Sequence, residues 1–183
     1  MDPVTQGAIG AVVAATQAKP QQVSAALFLG ALAGMAPDLD VLIRSESDSL
    51  LFLEYHRQFT HALFFIPLGA FICTLVLHPL IGKRRGLSAG QTYLFCLLGY
   101  ATHGLLDACT TYGTLLMWPF SDARVAWNTL SIIDPLVTLP LILGIGLSIV
   151  YQHRLPVTIA AAYFAGYLVL GVVQRERAEQ VGW

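Results

Sequence analysis

In ATHGLLDACTTYG, residues 101–113, His103 precedes Asp107 by four positions at the end of an almost uncharged run. That spacing puts both side chains on one face of a helix, where imidazole and carboxylate can hold a single ion of the zinc type. Ionisable residues inside an apolar membrane segment are costly and are functional candidates for that reason. The plainer alternative is a hydrogen-bonded His–Asp pair.

Two further stretches carry matching chemistry. MAPDLDVLI, residues 35–43, places Asp38 and Asp40 just after Pro37. Proline disfavours helical geometry at Ala36, so an irregular turn is expected, in which both carboxylates can face one pocket. Solvated acids at a helix end are the competing account. EYHRQFTHALFF, residues 54–65, brings His56, Arg57 and His61 to the mouth of an apolar run. His56 and His61 are five apart and diverge on a regular helix, so they can serve one site only if His56 lies in the loop before it. His61 is a candidate metal ligand, His56 a ligand or acid/base, and Arg57 a bidentate clamp for a phosphate-like anion. A solvated charged cap would explain the same three residues.

The segments that must position these groups belong in a membrane. Of 183 residues, 56% are hydrophobic and 11% charged, against roughly a quarter charged in soluble domains. Uncharged runs over 60–82, 135–152 and 155–174 approach the roughly 20 residues that cross a hydrocarbon core. Runs over 3–18, 23–37 and 92–106 are shorter and should have recessed polar ends. The expected fold is all-α: a polytopic membrane helix bundle of about six membrane helices, some short or broken. Residues 1–174 are expected to form one membrane-embedded unit and 175–183 the start of a C-terminal extracytoplasmic tail or soluble segment, with Arg175 and Glu179 at ion-pair spacing. The opening Met-Asp-Pro lacks the basic start of a removable signal peptide. Cys73, Cys96 and Cys109 are odd in number and suit packing better than a disulfide framework.

Antiparallel runs would collect Lys19, Lys83-Arg84-Arg85 and Arg154 on one side and all eleven acids on the other. Short basic loops mark the cytoplasmic face, so the acidic side, with His56, His61 and His103, should face the periplasm. The intervening loop, 111–135, carries Trp118, Phe120 and Trp127, read as an interfacial aromatic belt or the acyl side of a lipid pocket. Asp122, Arg124 and Asp134 there are weaker candidates, explained equally by an ion pair or a helix cap. Lys83-Arg84-Arg85 is too short a basic patch for nucleic acid.

The ordered set PDLD, HRQFTH and THGLLD, with TYG and WPF behind it, resembles the membrane-bound metal-dependent hydrolases of the LexA-regulated inner-membrane kind over nearly the whole chain. It is more distantly similar to the zinc-dependent phospholipases C, all-helical enzymes whose metals are held by His and Asp. That resemblance implies metal ligands at Asp38 and/or Asp40, His61, His103 and Asp107. Gln6 stands where many relatives have histidine, and Met1 offers no counterpart to the phospholipases' amino-terminal Trp ligand, so one or two ions are expected rather than three.

The reading that follows is a metal-dependent hydrolase of the bacterial inner membrane acting on phosphoester or lipid-type substrates, with membrane lipids as its partners. Zinc is the expected ion, with manganese or magnesium as alternatives; His56, Arg57 and Asp40 are the candidate catalytic groups. The alternative is a non-enzymatic metal-binding transporter or structural membrane protein.

Overall fold

The computed structural model describes residues 1–43 and 56–182. Glu46, Asp48 and Glu54, counted above among the acids, lie outside the described residues. Six α-helices run through the rest: α1 Pro3–Thr16, α2 Val23–Met35, α3 Ile66–Leu77, α4 Ala89–Ala108, α5 Pro135–Tyr151 and α6 Leu155–Gln180. The fold is all-helical as expected. Among the described residues there is no strand, only an isolated bridge between Thr114 and Val125.

Three helical segments are long and apolar enough to cross a membrane: Pro20–Leu42, Leu63–Arg85 and Leu155–Gln180. The first corrects the sequence-based length. The run over 23–37 looked too short, but 3-10 turns at Pro20–Gln22 and Ala36–Leu42 extend α2 at both ends. The run over 135–152 goes the other way, forming a helix of 17 residues that stops where Gln152 takes a left-handed conformation at φ 48°. At 1.5 Å per residue it is about 26 Å long, just short of a roughly 30 Å core.

Half of the Pro20–Leu42 segment is buried inside the molecule, against 17% of Leu63–Arg85 and 11% of Leu155–Gln180. The α1 and α2 helices are therefore interior, while α3 and α6 turn their apolar surfaces outward. The core is the contact of α1, α2 and α4, held close by small residues. A Cβ at Gly10 would stand 2.5 Å from the Gly30 carbonyl oxygen, and one at Gly99 would also strike Gly30. Such backbone approach is how helices associate where lipid removes the hydrophobic drive between them.

Polar caps then fix the helix ends nearest the site. Asp2 accepts from the Thr5 amide at 3.0 Å and caps α1. Asp134 caps α5 through the Leu136 amide at 3.1 Å and accepts from the Tyr167 hydroxyl at 2.8 Å. Its role is that of a cap. Ser24 and Gln152 hydrogen-bond at 3.2 Å, joining the start of α2 to the α5–α6 turn.

Candidate metal centre

Three separate segments converge at one end of the bundle. The 3-10 turns of Ala36–Leu42 carry Asp38 and Asp40, a short 3-10 turn at Phe59–His61 carries His61, and the last two turns of α4 carry His103 and Asp107. His56 lies in the turn before Phe59–His61, the placement its spacing required. Gly104 admits this turn: a Cβ there would collide with the His61 carbonyl oxygen.

One ligand atom each from Asp38, His61, His103 and Asp107 lies within 4.8 Å of all the others. The two Nε2 atoms are 3.0 Å apart. His61 Nε2 stands 3.5 Å from Asp38 Oδ1 and 3.3 Å from Asp107 Oδ2, and His103 Nε2 stands 3.2 and 3.7 Å from the same two oxygens. A tetrahedron with bonds of about 2.0–2.1 Å has edges of about 3.3 Å, so these spacings suit a zinc-sized ion. His61, His103 and Asp107 are buried, and only Asp38 is partly open.

The hydrogen bonds around the ring make this pocket rich in acceptors. His103 Nδ1 is 2.6 Å from the Gly34 carbonyl, which can only accept, so Nδ1 carries a proton and in the neutral ring Nε2 is bare. The Thr60 hydroxyl donates to Asp40 Oδ2 at 2.8 Å, which leaves its oxygen to accept from His61 Nδ1–H at 2.9 Å. Both imidazoles thus turn lone pairs inward, the arrangement by which surrounding groups orient ligating histidines. Asp107 Oδ2 is buried with no hydrogen-bond partner. Two bare nitrogens and two carboxylate oxygens at contact distance repel one another without positive charge among them. Burial disfavours charge on His61, but the Asp107 and Asp38 carboxylates outweigh it and raise its pKa.

Asp40 sits outside the four-atom group, 3% exposed. It instead holds the periphery, accepting from His56 Nδ1 at 2.8 Å and the Arg57 amide at 3.1 Å and approaching His61 Nδ1 at 3.4 Å. Arg57 takes a left-handed φ of 64°, a cost that a surrounding structure must impose. Its carbonyl accepts from the Leu115 amide and the Thr114 hydroxyl. Its guanidinium lies 5.3 Å over the Tyr112 ring, with Nε 3.6 Å from Asp107 Oδ2 and a buried Nη1 that has no hydrogen-bond partner.

The amino-terminal residues reach the site as well. Gln6, fully buried, donates from Nε2 to Asp107 Oδ1 at 3.1 Å and leaves its own Oε1 without a partner. The Met1 amino group is also buried against Asp107 Oδ1. Neither was expected as a site residue; a long amide inside the apolar run of α1 was the signal for Gln6. The aromatic loop packs beside the centre through Trp118 on Phe59 and Phe120 on Phe64. Arg124 donates to the Tyr112 and Gly113 carbonyls.

Fold and site together define an all-helical membrane protein with one acceptor-rich centre able to bind a metal. The chain belongs to the family described as YdjM inner membrane protein, whose profile matches residues 1–178. The Escherichia coli (strain K12) inner membrane protein YbcI is 32% identical over 112 residues, 58% of this chain and 61% of that protein. An uncharacterized Bacillus subtilis (strain 168) protein, YfhP, is 27% identical over 113 residues, 61% of this chain and 33% of its own length. The matches thus span less than two-thirds of either relative. No solved structure matches the chain. The family places the apolar helices in an inner membrane; its name states a location and no reaction.

Proposed function

We propose that the protein is a metal-dependent hydrolase of phosphoester or lipid-type substrates, with its site at the periplasmic membrane–water boundary. The observation that carries this reading is the inward pair of imidazole nitrogens beside Asp107 Oδ2, a buried oxygen without a hydrogen-bond partner. Asp38, His61, His103 and Asp107 would hold a divalent ion, zinc by donor set, which when bound lowers the pKa of a water and polarises a substrate oxygen. Arg57 supplies an unsatisfied buried guanidinium nitrogen for a phosphoryl oxygen. His56, 24% exposed and paired with Asp40, is the group placed to take and return a proton. Positive-inside sorting supports the periplasmic orientation: Lys83-Arg84-Arg85 follow the far end of α3 from the centre.

A second reading has its own support. Four protein ligands close a tetrahedron, and closed sets are typical of structural sites, whereas catalytic ones keep a position open. In the hydrolytic reading Asp38, the one partly exposed member, would lie on the side of the site open to water and substrate. Metal analysis of detergent-purified protein together with a phosphodiester and phospholipid turnover screen, on wild type, His103→Ala and Asp107→Asn, separates the two. Stoichiometric metal and turnover, both lost in the variants, support the hydrolase. Bound metal without turnover moves the assignment to a structural ion, and folded wild type that takes up no added metal overturns both.

A further inference from the structure

A cavity of about 480 Å³ runs between the end of α2, the Ala36–Leu42 turns and α3. Its α3 wall is one helical face, Phe65, Gly69, Ile72, Cys73, Val76 and Leu77. Over 12 residue steps that face extends about 18 Å along the helix. Gly69 and Ala36 keep the middle deep. A side chain at Gly69 would collide with the Tyr100 ring, which forms the floor. The polar lining is gathered at Asp40, Thr60 and Tyr100, whose hydroxyl donates to the Thr60 carbonyl at 2.9 Å. Asp40 and Thr60 also contact His61, so the polar end of the cavity lies one side chain away from the candidate metal centre. At its sides, Ile72 and Val76 are about half exposed on a membrane-crossing segment.

We propose that this groove is a slot for one acyl chain of a membrane lipid, the tail lying along α3 with its head toward the Thr60 end. The occupant follows from three facts. The walls are apolar over a length suited to a chain and not to a compact ligand. The side opening faces the hydrocarbon, where acyl chains are the solvent. The single polar end adjoins His61 through Asp40 and Thr60, so a tail in the slot points its head toward the side of the molecule that carries the centre. As a statement about substrate this rests on the hydrolytic reading; as a statement about lipid it stands on the groove itself.

The test uses the full chain in phosphatidylethanolamine–phosphatidylglycerol vesicles doped with a phosphatidylglycerol carrying a diazirine at the end of one acyl chain. Photolysis and peptide mapping should place adducts on Ile72, Cys73, Val76 and Leu77, enriched about tenfold over the outward α5 residues Leu139, Leu143 and Val150. Val76→Trp and Ile72→Trp, both at half-exposed positions that leave the fold intact, should remove that enrichment. Even labelling of α3 and α5, or enrichment unchanged by either tryptophan, overturns the slot. Slot labelling that persists in His103→Ala protein lacking metal and turnover supports the lipid site while separating it from the chemistry.

Discussion

His61 and His103 meet through their Nε2 atoms at 3.0 Å, with the opposite nitrogen of each ring engaged by Thr60 and by the Gly34 carbonyl. When both rings are neutral neither nitrogen has a proton to offer the other, and the nearest groups are carboxylate oxygens. The contact is satisfied only by positive charge placed between them, and four predictions follow the ways of supplying or removing it.

Thr60 is the joint between the outward Nδ1 of His61 and the Asp40 carboxylate. Thr60→Val keeps the side-chain shape and removes the hydroxyl. Metal affinity is expected to fall by about 10–100-fold, the usual cost of losing a group that orients a ligand. Equilibrium dialysis against a chromophoric chelator reads this, and unchanged affinity would remove Thr60 from the site.

Gly104 lets α4 approach the His61 carbonyl. Gly104→Ala should push the Phe59–His61 turn away, destabilising the protein by about 1–3 kcal/mol, the cost of overpacking. It should weaken metal binding as well, although residue 104 contributes no ligand. Thermal unfolding in detergent with and without added zinc measures both effects.

Protons and metal compete for the same lone pairs. The folded-state pKa of His61 lies above its ordinary value of about 6.5. In metal-stripped protein the stabilising contribution of charged His61 is fully present below about 6.5 and is lost as pH rises through the folded-state value. Metal-loaded protein should show the reverse, releasing its ion as pH falls through that value because the ligand must be deprotonated. Melting temperatures of the two forms across pH should cross; parallel curves would count against a shared site.

Arg57→Lys retains a positive charge and loses the guanidinium fork. Metal content should be unchanged, and KM for a phosphodiester should rise about tenfold or more, the worth of one charged hydrogen bond. Equal loss of metal and turnover would instead assign Arg57 to holding Asp107.

The clustering of Asp38, His61, His103 and Asp107 was legible in the sequence because spacing and type coincide in THGLLD, PDLD and HRQFTH, and an ionisable residue in an apolar chain has few structural uses. The separation of Asp38 from Asp40 was not. A two-residue interval in a 3-10 turn sends one carboxylate to the Nε2 side of His61 and the other to its Nδ1 side, and only the turn geometry shows which. Segment lengths were misjudged at α2 and α5, since 3-10 turns lengthen one and a left-handed Gln152 ends the other. Gln6 was undervalued because an amide inside α1 gains its role from Asp107, a residue 101 positions away.

The centre draws on α4 as well as on the turns at Asp38 and His61, and this orders the protein's biogenesis. While the ribosome has delivered only the first three helices to the insertion machinery, a carboxylate and an imidazole are present without the partners that complete the set. The four-residue geometry comes into being only when α4 packs against α1 and α2, so any ion the centre takes up can enter only after four of the six helices are in place.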